Sequence, residues 1–445
     1  MIPFGNRIEM LVDDYLIAEK SGADFRLTHP ENRGKILGFD EEWEGEGSLA
    51  MTVFEDDQNI KCYYRGFPTH ENDASVLQTS CLAVSDDGLH FRRCPVNEFD
   101  YRGIRENNIV RMGTVCHNFA PFYDGNPDCR PDERYKAIGG TKPVGGIWVF
   151  ASPDGIHWKE LADHPVITKG AFDSMNMAFW DPHAGLYRSY SRYMDGSVKL
   201  SCVPHACRAI QSCTSEDFIH WTDPVPNEYE GGLTDQLYTN AARPVPGAEH
   251  ILISIPMRYQ EIRKKYPEYT SGGFSHNGVS DAVLMTSRDG VHWDRTVRDA
   301  WLSGGLYDHE WTQRCFITAG GIIVRGDWFY FYTEQNYMWD DDGIWIYALP
   351  KYRLMSLYAD GDGGSFRTKP LRFLTDEFFL NYATSAYGYV KVTLYDEAGT
   401  ELYDSGEIFG NELSHRICCE GLTDRIGSMK IELKEAHLYA LGSRM

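Results

Sequence analysis

The stretch SPDGIHWKE, residues Ser152–Glu160, is written more than once in this chain. It returns as SDDGLHFRR from Ser85, SEDFIHWTD from Ser215 and SRDGVHWDR from Ser287, with a reduced copy, DGGSFRTKP, from Asp362. The aspartates Asp87, Asp154, Asp217, Asp289 and Asp362 stand 67, 63, 72 and 73 residues apart, which suits a repeated supersecondary unit. Asp-Gly makes a tight turn because glycine reaches positive φ without a steric penalty. The serine and aspartate side chains can satisfy the turn's own amides, and the aromatic residue that follows can pack between neighbouring units. The motif's aspartates and histidines therefore read as structural, and function is to be sought where the units converge.

Each interval holds the same parts in the same order: an alternating strand, an aromatic-rich strand, and a third strand running into the turn. In the first unit these are SLAMTVFED, IKCYYRG and CLAVSDDG; in the fifth they are RCFITAGGIIV, DWFYFYTEQNY and GIWIYALP. Period-2 alternation of β-branched and aromatic residues between Gly, Asp and Pro turns is the signal of strands. Five such units predict an all-β chain with a five-bladed β-propeller over residues 1–370. Beyond Pro370 the alternation continues, with Val390, Val392 and Leu394 against Lys391, Thr393 and Tyr395, but the turn motif is gone. That predicts a small C-terminal β-sandwich module over residues 371–445. The leading strand IEMLVDDYLIA, from Ile8, fits either part.

The 445 residues include 42 glycines and 20 prolines, which favours many turns and short strands. A formal net charge of −22 argues against nucleic acid or an anionic membrane as partner, because both demand a basic face. No apolar run is long enough to span a bilayer, and the N-terminus lacks the basic-then-apolar order of a signal peptide. The 11 cysteines are odd in number and lack zinc-ligand spacing, which suits reduced thiols in a cytoplasmic protein with no metal and no cofactor.

Several phrases carry a resemblance: LVDDYLI, WEG, NNIV, NFAPFYD, RYKAIGG, FDSMNMAFWD, LYTN, MTSRDG and the terminal NYATSAYG. From about Arg7 to the end, the chain resembles the five-bladed propeller glycoside hydrolases of families 32, 43, 68 and their relatives, with family 130 nearby, and within them a bacterial subgroup. The resemblance implies a glycosidase acting on short oligosaccharides or glycosides, furanosides such as fructosides or arabinosides among them. In families 32 and 43 the acidic trio is an Asp on blade 1, an Asp on blade 2 and a Glu on blade 3. This chain departs from that pattern, with glutamates on blade 1, His117 and Asn118 on blade 2, and Asp173 on blade 3.

In a propeller the first strand of each blade lines the central funnel, so the residues opening those strands are the candidates. They are Glu44 and Glu46, His117 and Asn118, Asp173 and Asn176, Asp235, Tyr238 and Asn240, and Glu310, Gln313 and Arg314. Second-strand ends add Arg65, Lys136, Arg192, Arg258 and Glu334. Glycoside hydrolysis needs one carboxyl as acid and another as base or nucleophile. Glu46, Asp173, Asp235 and Glu310 are the catalytic candidates, with Glu310 or Glu46 as the acid and the remaining residues binding substrate. Trp43, Trp180, Trp311, Tyr238 and Tyr337 are candidates for stacking on a sugar face. Two alternatives stand beside the hydrolase. One is a phosphorylase in which Arg65, Lys136, Arg192 and Arg258 hold phosphate; the other is a carbohydrate-binding propeller without catalysis.

Overall fold

The computed structural model describes residues 1–68, 75–198, 200, 206–265, 270–271, 274–275 and 278–445. Its four full copies of the turn fold alike. At the second copy Asp154 Oδ1 accepts from the amides of Ile156 and His157, both at 2.9 Å, and Oδ2 lies 2.6 Å from His157 Nδ1. Ser152 Oγ accepts from Gly155 N at 2.9 Å. The same contacts recur around Asp87, Asp217 and Asp289. The acids and histidines of the motif are spent on their own turns.

What the turns add beyond themselves is a tie to the preceding strand group. The hydroxyls of Tyr63, Tyr190 and Tyr332 donate to the carbonyls of Gly155, Gly290 and Gly88, each at 2.9 Å. Each tyrosine ring also meets the aromatic residue of the same turn edge-on: Tyr63 with Trp158, Tyr190 with Trp293, Tyr332 with Phe91. In the third copy Phe218 stands where the others have glycine, at φ 69°. Its ring packs on Phe122 at 5.6 Å and Tyr187 at 5.1 Å, so aromatic contact replaces the hydroxyl–carbonyl bond.

The strand groups follow the repeat. The first sheet contains Leu49–Glu55, Ile60–Gly66 and Thr79–Ser85; the second Ala120–Tyr123, Tyr135–Gly139 and Trp148–Ser152; the third Met177–Asp181, Leu186–Asp195 and Cys207–Ser215. The fourth group splits into small sheets around Ala248–Ser254 and Met257–Gln260. The fifth contains Ile317–Thr318, Trp328–Gln335 and Gly343–Pro350, and its outer strand is Glu31–Gly38 from the start of the chain. Together with the Tyr332–Gly88 bond, that strand ties the last group to the first.

An eleven-stranded sheet takes up the rest and draws on both ends of the chain. Ile8–Met10, in the leading stretch, pairs antiparallel with Ile426–Gly442. The position 370/371 falls within this sheet, because Met355–Ala359 and Gly364–Thr368 pair with that same last strand. The reduced copy from Asp362 is accordingly not a fifth turn of the series. Its residues Gly364–Thr368 form a strand between Ile17–Ser21 and Ile426–Gly442, and it lacks the serine and histidine that close the other turns.

Glu9, on Ile8–Met10, joins this sheet to the fourth strand group. It is fully buried, bonds to Arg7 at 2.6 Å and Arg288 at 3.0 Å, and lies 3.4 Å from His250 Nε2. Burial opposes its charged form, yet His250, Arg288 and Arg7 outweigh burial and bring the carboxyl down to about 2.

Two stability predictions follow from these contacts. A Cβ on Gly155, at φ +78°, would sit 2.4 Å from the Tyr63 hydroxyl, so Gly155→Ala costs about 2 kcal/mol from backbone strain and the displaced phenol. Chemical denaturation reads this directly, and an unchanged midpoint would show that the tie between turn and tyrosine is dispensable. For Glu9, a carboxyl depressed in the folded state contributes stability that is present above its unfolded value and lost as pH falls through about 2. Wild type therefore loses about 3 kcal/mol more than Glu9→Gln on acidification below pH ~4.5. Parallel acid titrations of the two proteins would refute the linkage.

Candidate functional site

A cavity of about 160 Å³ opens where the beginnings of the first strands meet. Leu49 and Met51 come from the first strand group, and His117 and Asn118 from the turn before the second. Asp173, Ser174 and Met175 precede the third, Tyr238 and Thr239 belong to the fourth, and Arg314 and Ile317 to the fifth. Arg65 and Phe67, at the end of the second strand of the first group, and Tyr337, just after that of the fifth, complete the wall.

Local backbone explains how Arg314 reaches this wall. Arg314 and Phe316 hold left-handed φ values of 55° and 63°, which cost a non-glycine residue on the order of 1 kcal/mol or more. Cys315 between them is pinned by Ser280 Oγ, which accepts from its amide and donates to its carbonyl, both at 2.9 Å. That clamp holds the strained turn in place.

The cavity's polar groups are mostly cationic. Arg65 donates to Gly47 O at 2.6 Å, His117 O at 3.3 Å and Tyr337 Oη at 3.2 Å. His117 Nδ1 lies 2.7 Å from Gln78 Oε1, and burial together with Arg65 and Arg314 holds the imidazole well below its usual pKa, so it is neutral. Arg192 is buried and reaches Asp173 Oδ1 with Nη2 at 2.6 Å, while the Asp173 side chain stays 48% exposed. Asp173 is the one carboxylate on the cavity wall.

Tyr238 stands among three guanidiniums, with Arg192, Arg208 and Arg314 at 4.7, 5.2 and 5.8 Å from its ring centre. Burial alone would raise the phenol, but Arg314, Arg192 and Arg208 bring it down to about 8. A carboxylate and an ionisable phenol thus share one cavity with arginines beside them, a set able to move protons near neutrality.

The other residues expected here lie elsewhere or serve the scaffold. Glu44 is fully buried and accepts from Tyr64 at 2.6 Å and from Arg93 at 2.8 and 2.9 Å. Glu46 is exposed, and its carbonyl accepts from Met338 N. Asp235 is gripped by both Nη atoms of Arg295, at 2.7 and 2.9 Å, and Arg258 by Asp281. Asp235 and Arg258 line a separate cleft with Trp311. Glu310 lies in the turn Asp308–Trp311, where its carboxylate accepts from Gly305 N at 2.6 Å.

Asn118, Asn176 and Asn240 hold backbone carbonyls of neighbouring segments. Gln313 is buried beside Arg314 in sequence and is not on the cavity wall. Lys136 pairs with Asp124 at 2.9 Å. Glu334 is fully buried against Asp342, and burial raises both carboxyls, so the pair keeps a proton. Trp43 donates to Asn108 at 2.8 Å, and Trp180 packs on Tyr187.

Arg208 was not expected. It sits on Cys207–Ser215, a third strand, whereas the candidates were sought on first and second strands. Among the described residues no group of three or more His, Cys, Asp or Glu is placed to hold a metal ion. No helix of the described residues is long and apolar enough to cross a membrane.

No family model matches the chain, and no curated protein matches its sequence. Among solved structures it is similar to a glycoside hydrolase, at 12% identity over 72% of this chain and 92% of that one, with a TM-score of 0.47. A fructofuranosidase from Schwanniomyces occidentalis complexed with fructose matches at 9% identity, over 92% of this chain and 97% of that one, with a TM-score of 0.42. A glycosyl hydrolase from Bacteroides ovatus matches at 14%, over 78% and 96%, with a TM-score of 0.41. With identities of 14% or less, residue roles rest on the geometry of this chain.

The Tyr238 phenol gives the site a spectroscopic signature. An ultraviolet titration should show a phenol ionising with a midpoint of about 8, and Tyr238→Phe should remove that step. A first phenol ionising only above pH ~10 would mean that the guanidiniums do not act on Tyr238 in this way.

Proposed function

We propose that the chain is a glycoside-cleaving enzyme whose active site is the cavity around Asp173 and Tyr238. The observation that carries this reading is the convergence, from all five strand groups, of one carboxylate and one ionisable phenol beside apolar and aromatic walls. Glycosidic cleavage needs a proton donor for the leaving oxygen and a second group as base or nucleophile. Asp173 and Tyr238 are the pair available for those two duties.

Glu46, Asp235 and Glu310 stand outside the cavity, so the reading narrows the catalytic candidates to Asp173 and adds Tyr238. The strand groups between Glu31 and Pro350 are read as five blades of a propeller, and the eleven-stranded sheet as a separate β-rich module. The substrate class is a short oligosaccharide or simple glycoside, furanosides included.

One observation favours a second reading, phosphorolysis. The cavity presents a single carboxylate and two guanidiniums on its wall, which suits one carboxylic acid acting beside a bound phosphate. Of the four cations first considered for phosphate, Arg65 faces the cavity, Arg192 stands behind Asp173, and Lys136 and Arg258 are held in ion pairs elsewhere.

Product analysis on oligosaccharides and aryl glycosides, with and without inorganic phosphate, separates the readings. Free sugar formed equally in both arms is expected for the hydrolase, and a sugar phosphate formed only with phosphate would replace it by a phosphorylase. Asp173→Asn should lower kcat at least a hundredfold while the far-ultraviolet circular dichroism stays that of the wild type, with some loss of melting temperature because the charge facing buried Arg192 is removed. A variant keeping more than about a tenth of the wild-type rate removes Asp173 from the chemistry.

A further inference from the structure

The cavity is cationic in a chain whose formal net charge is −22. Several arginines elsewhere answer carboxylates closely, as Arg93 does Glu44, Arg295 does Asp235 and Arg288 does Glu9 and Asp13, while Arg243 and Arg353 rest on carbonyls and an amide away from the cavity. Arg65 answers no carboxylate in this way. Among the described residues it pairs with no carboxylate within ion-pair distance, and the buried Glu334 that acts on it and on Arg314 from farther away shares a proton with Asp342. The bonds of Arg65 run to two backbone carbonyls, a phenol and, at 3.5 Å, the His117 ring, and its Nε meets no acceptor although the residue is 5% exposed.

Arg192 repeats the pattern. One of its nitrogens serves Asp173, while Nε and Nη1 have no acceptor in hydrogen-bonding geometry among the described residues, at 4% exposure. Guanidinium groups buried without full pairing are costly unless something anionic completes them. Arg314 stands on the cavity wall with Arg65, and Arg192 lies behind Asp173.

From this geometry we infer that the cavity is an oxyanion site, and that the glycan it takes carries a carboxylate or sulfate on the sugar. The inference rests on the glycosidase reading for the word substrate, but not for binding. Both a sugar-borne anion and free phosphate present oxygens that guanidiniums hold by charge-assisted bonds. The rest of the wall favours the first. Phe67, Met175 and Ile317 offer apolar surface that suits the face of a sugar ring and has no use for a bare phosphate ion.

Titration calorimetry on the full chain tests this with glucuronate, galacturonate and N-acetylglucosamine 6-sulfate. Each is paired with its neutral sugar, and inorganic phosphate is run alone. At least one anionic sugar should bind tenfold or more tighter than its neutral counterpart, and Arg65→Gln should reduce that affinity tenfold or more. Arg314→Gln serves the same purpose if Arg65→Gln does not fold. Equal binding of charged and neutral sugars, no binding by any anionic sugar, or affinity unchanged in both variants would overturn the inference. Phosphate binding alone, without any anionic sugar, would overturn the sugar-borne source and assign the oxyanion to phosphate. Cleavage of neutral glycosides without anion binding would sink this inference and leave the glycosidase reading standing. Anionic sugars that bind while their aryl glycosides stay intact would do the reverse.

Discussion

A tyrosine hydroxyl donating to the carbonyl of the next turn is the bond on which the arrangement of strand groups depends. Tyr63, Tyr190 and Tyr332 each make it at 2.9 Å, and each is buried to within a fraction of a per cent. One neutral hydrogen bond contributes only about 1 kcal/mol net. Its weight lies in what would happen without it, since a turn carbonyl facing a packed aromatic cluster would be left unsatisfied at a cost of about 1–3 kcal/mol. The bond also fixes the separation between groups, because the turn's aromatic residue must sit on the same ring. With that separation set, the beginnings of the first strands have only one place to meet.

The same phenol chemistry yields two opposite results in this fold. Burial raises the phenols of Tyr63 and Tyr332 well above their usual range, so they stay protonated and can only donate. Tyr238 is half-buried with Tyr259 edge-on to it, but three guanidiniums reverse the sign and bring it to about 8. Carboxyl groups divide in a parallel way. Glu44 and Asp235 are consumed by forked arginine contacts, whereas Asp173 receives a single nitrogen of Arg192 and is half-exposed on the cavity wall. Partner geometry, rather than residue type, separates scaffold from site.

This is also why the turns are legible in the sequence and the division of the acids between scaffold and cavity is not. The Ser-x-Asp-x-x-His turn is closed by contacts spanning two or three residues, so its pattern is complete within nine letters. Pairing of Glu31–Gly38 with Gly343–Pro350 spans the whole array of strand groups, and nothing local to either segment announces it. The reduced turn from Asp362 looked like a fifth copy because Asp-Gly is common to many turns; the missing serine and histidine were the signal that it belonged to another sheet. For the site, the offset within each repeat located strand beginnings correctly, and Asp173, Tyr238, His117, Asn118, Arg65 and Arg314 do reach the cavity wall. The offset carried no information on which acids already had an arginine. On the cavity wall one carboxylate, Asp173, stands with two guanidiniums, Arg65 and Arg314.

The guanidiniums that surround Tyr238 tie its proton to whatever else the cavity holds. They lower the phenol because positive charge beside the ring favours phenolate. An oxyanion seated on Arg65, Arg192 and Arg314 would take up part of that positive field, and the phenol would rise toward its ordinary value and regain its proton. Linkage makes this reciprocal: ionisation of Tyr238 must weaken the anion by the same factor that the anion disfavours ionisation. On the proposed reading, binding an anionic glycan thus converts Tyr238 from a group ionised above about pH 8 into a protonated phenol at the moment the glycosidic oxygen arrives. A cavity poor in carboxylates can by that route still present a proton donor beside Asp173.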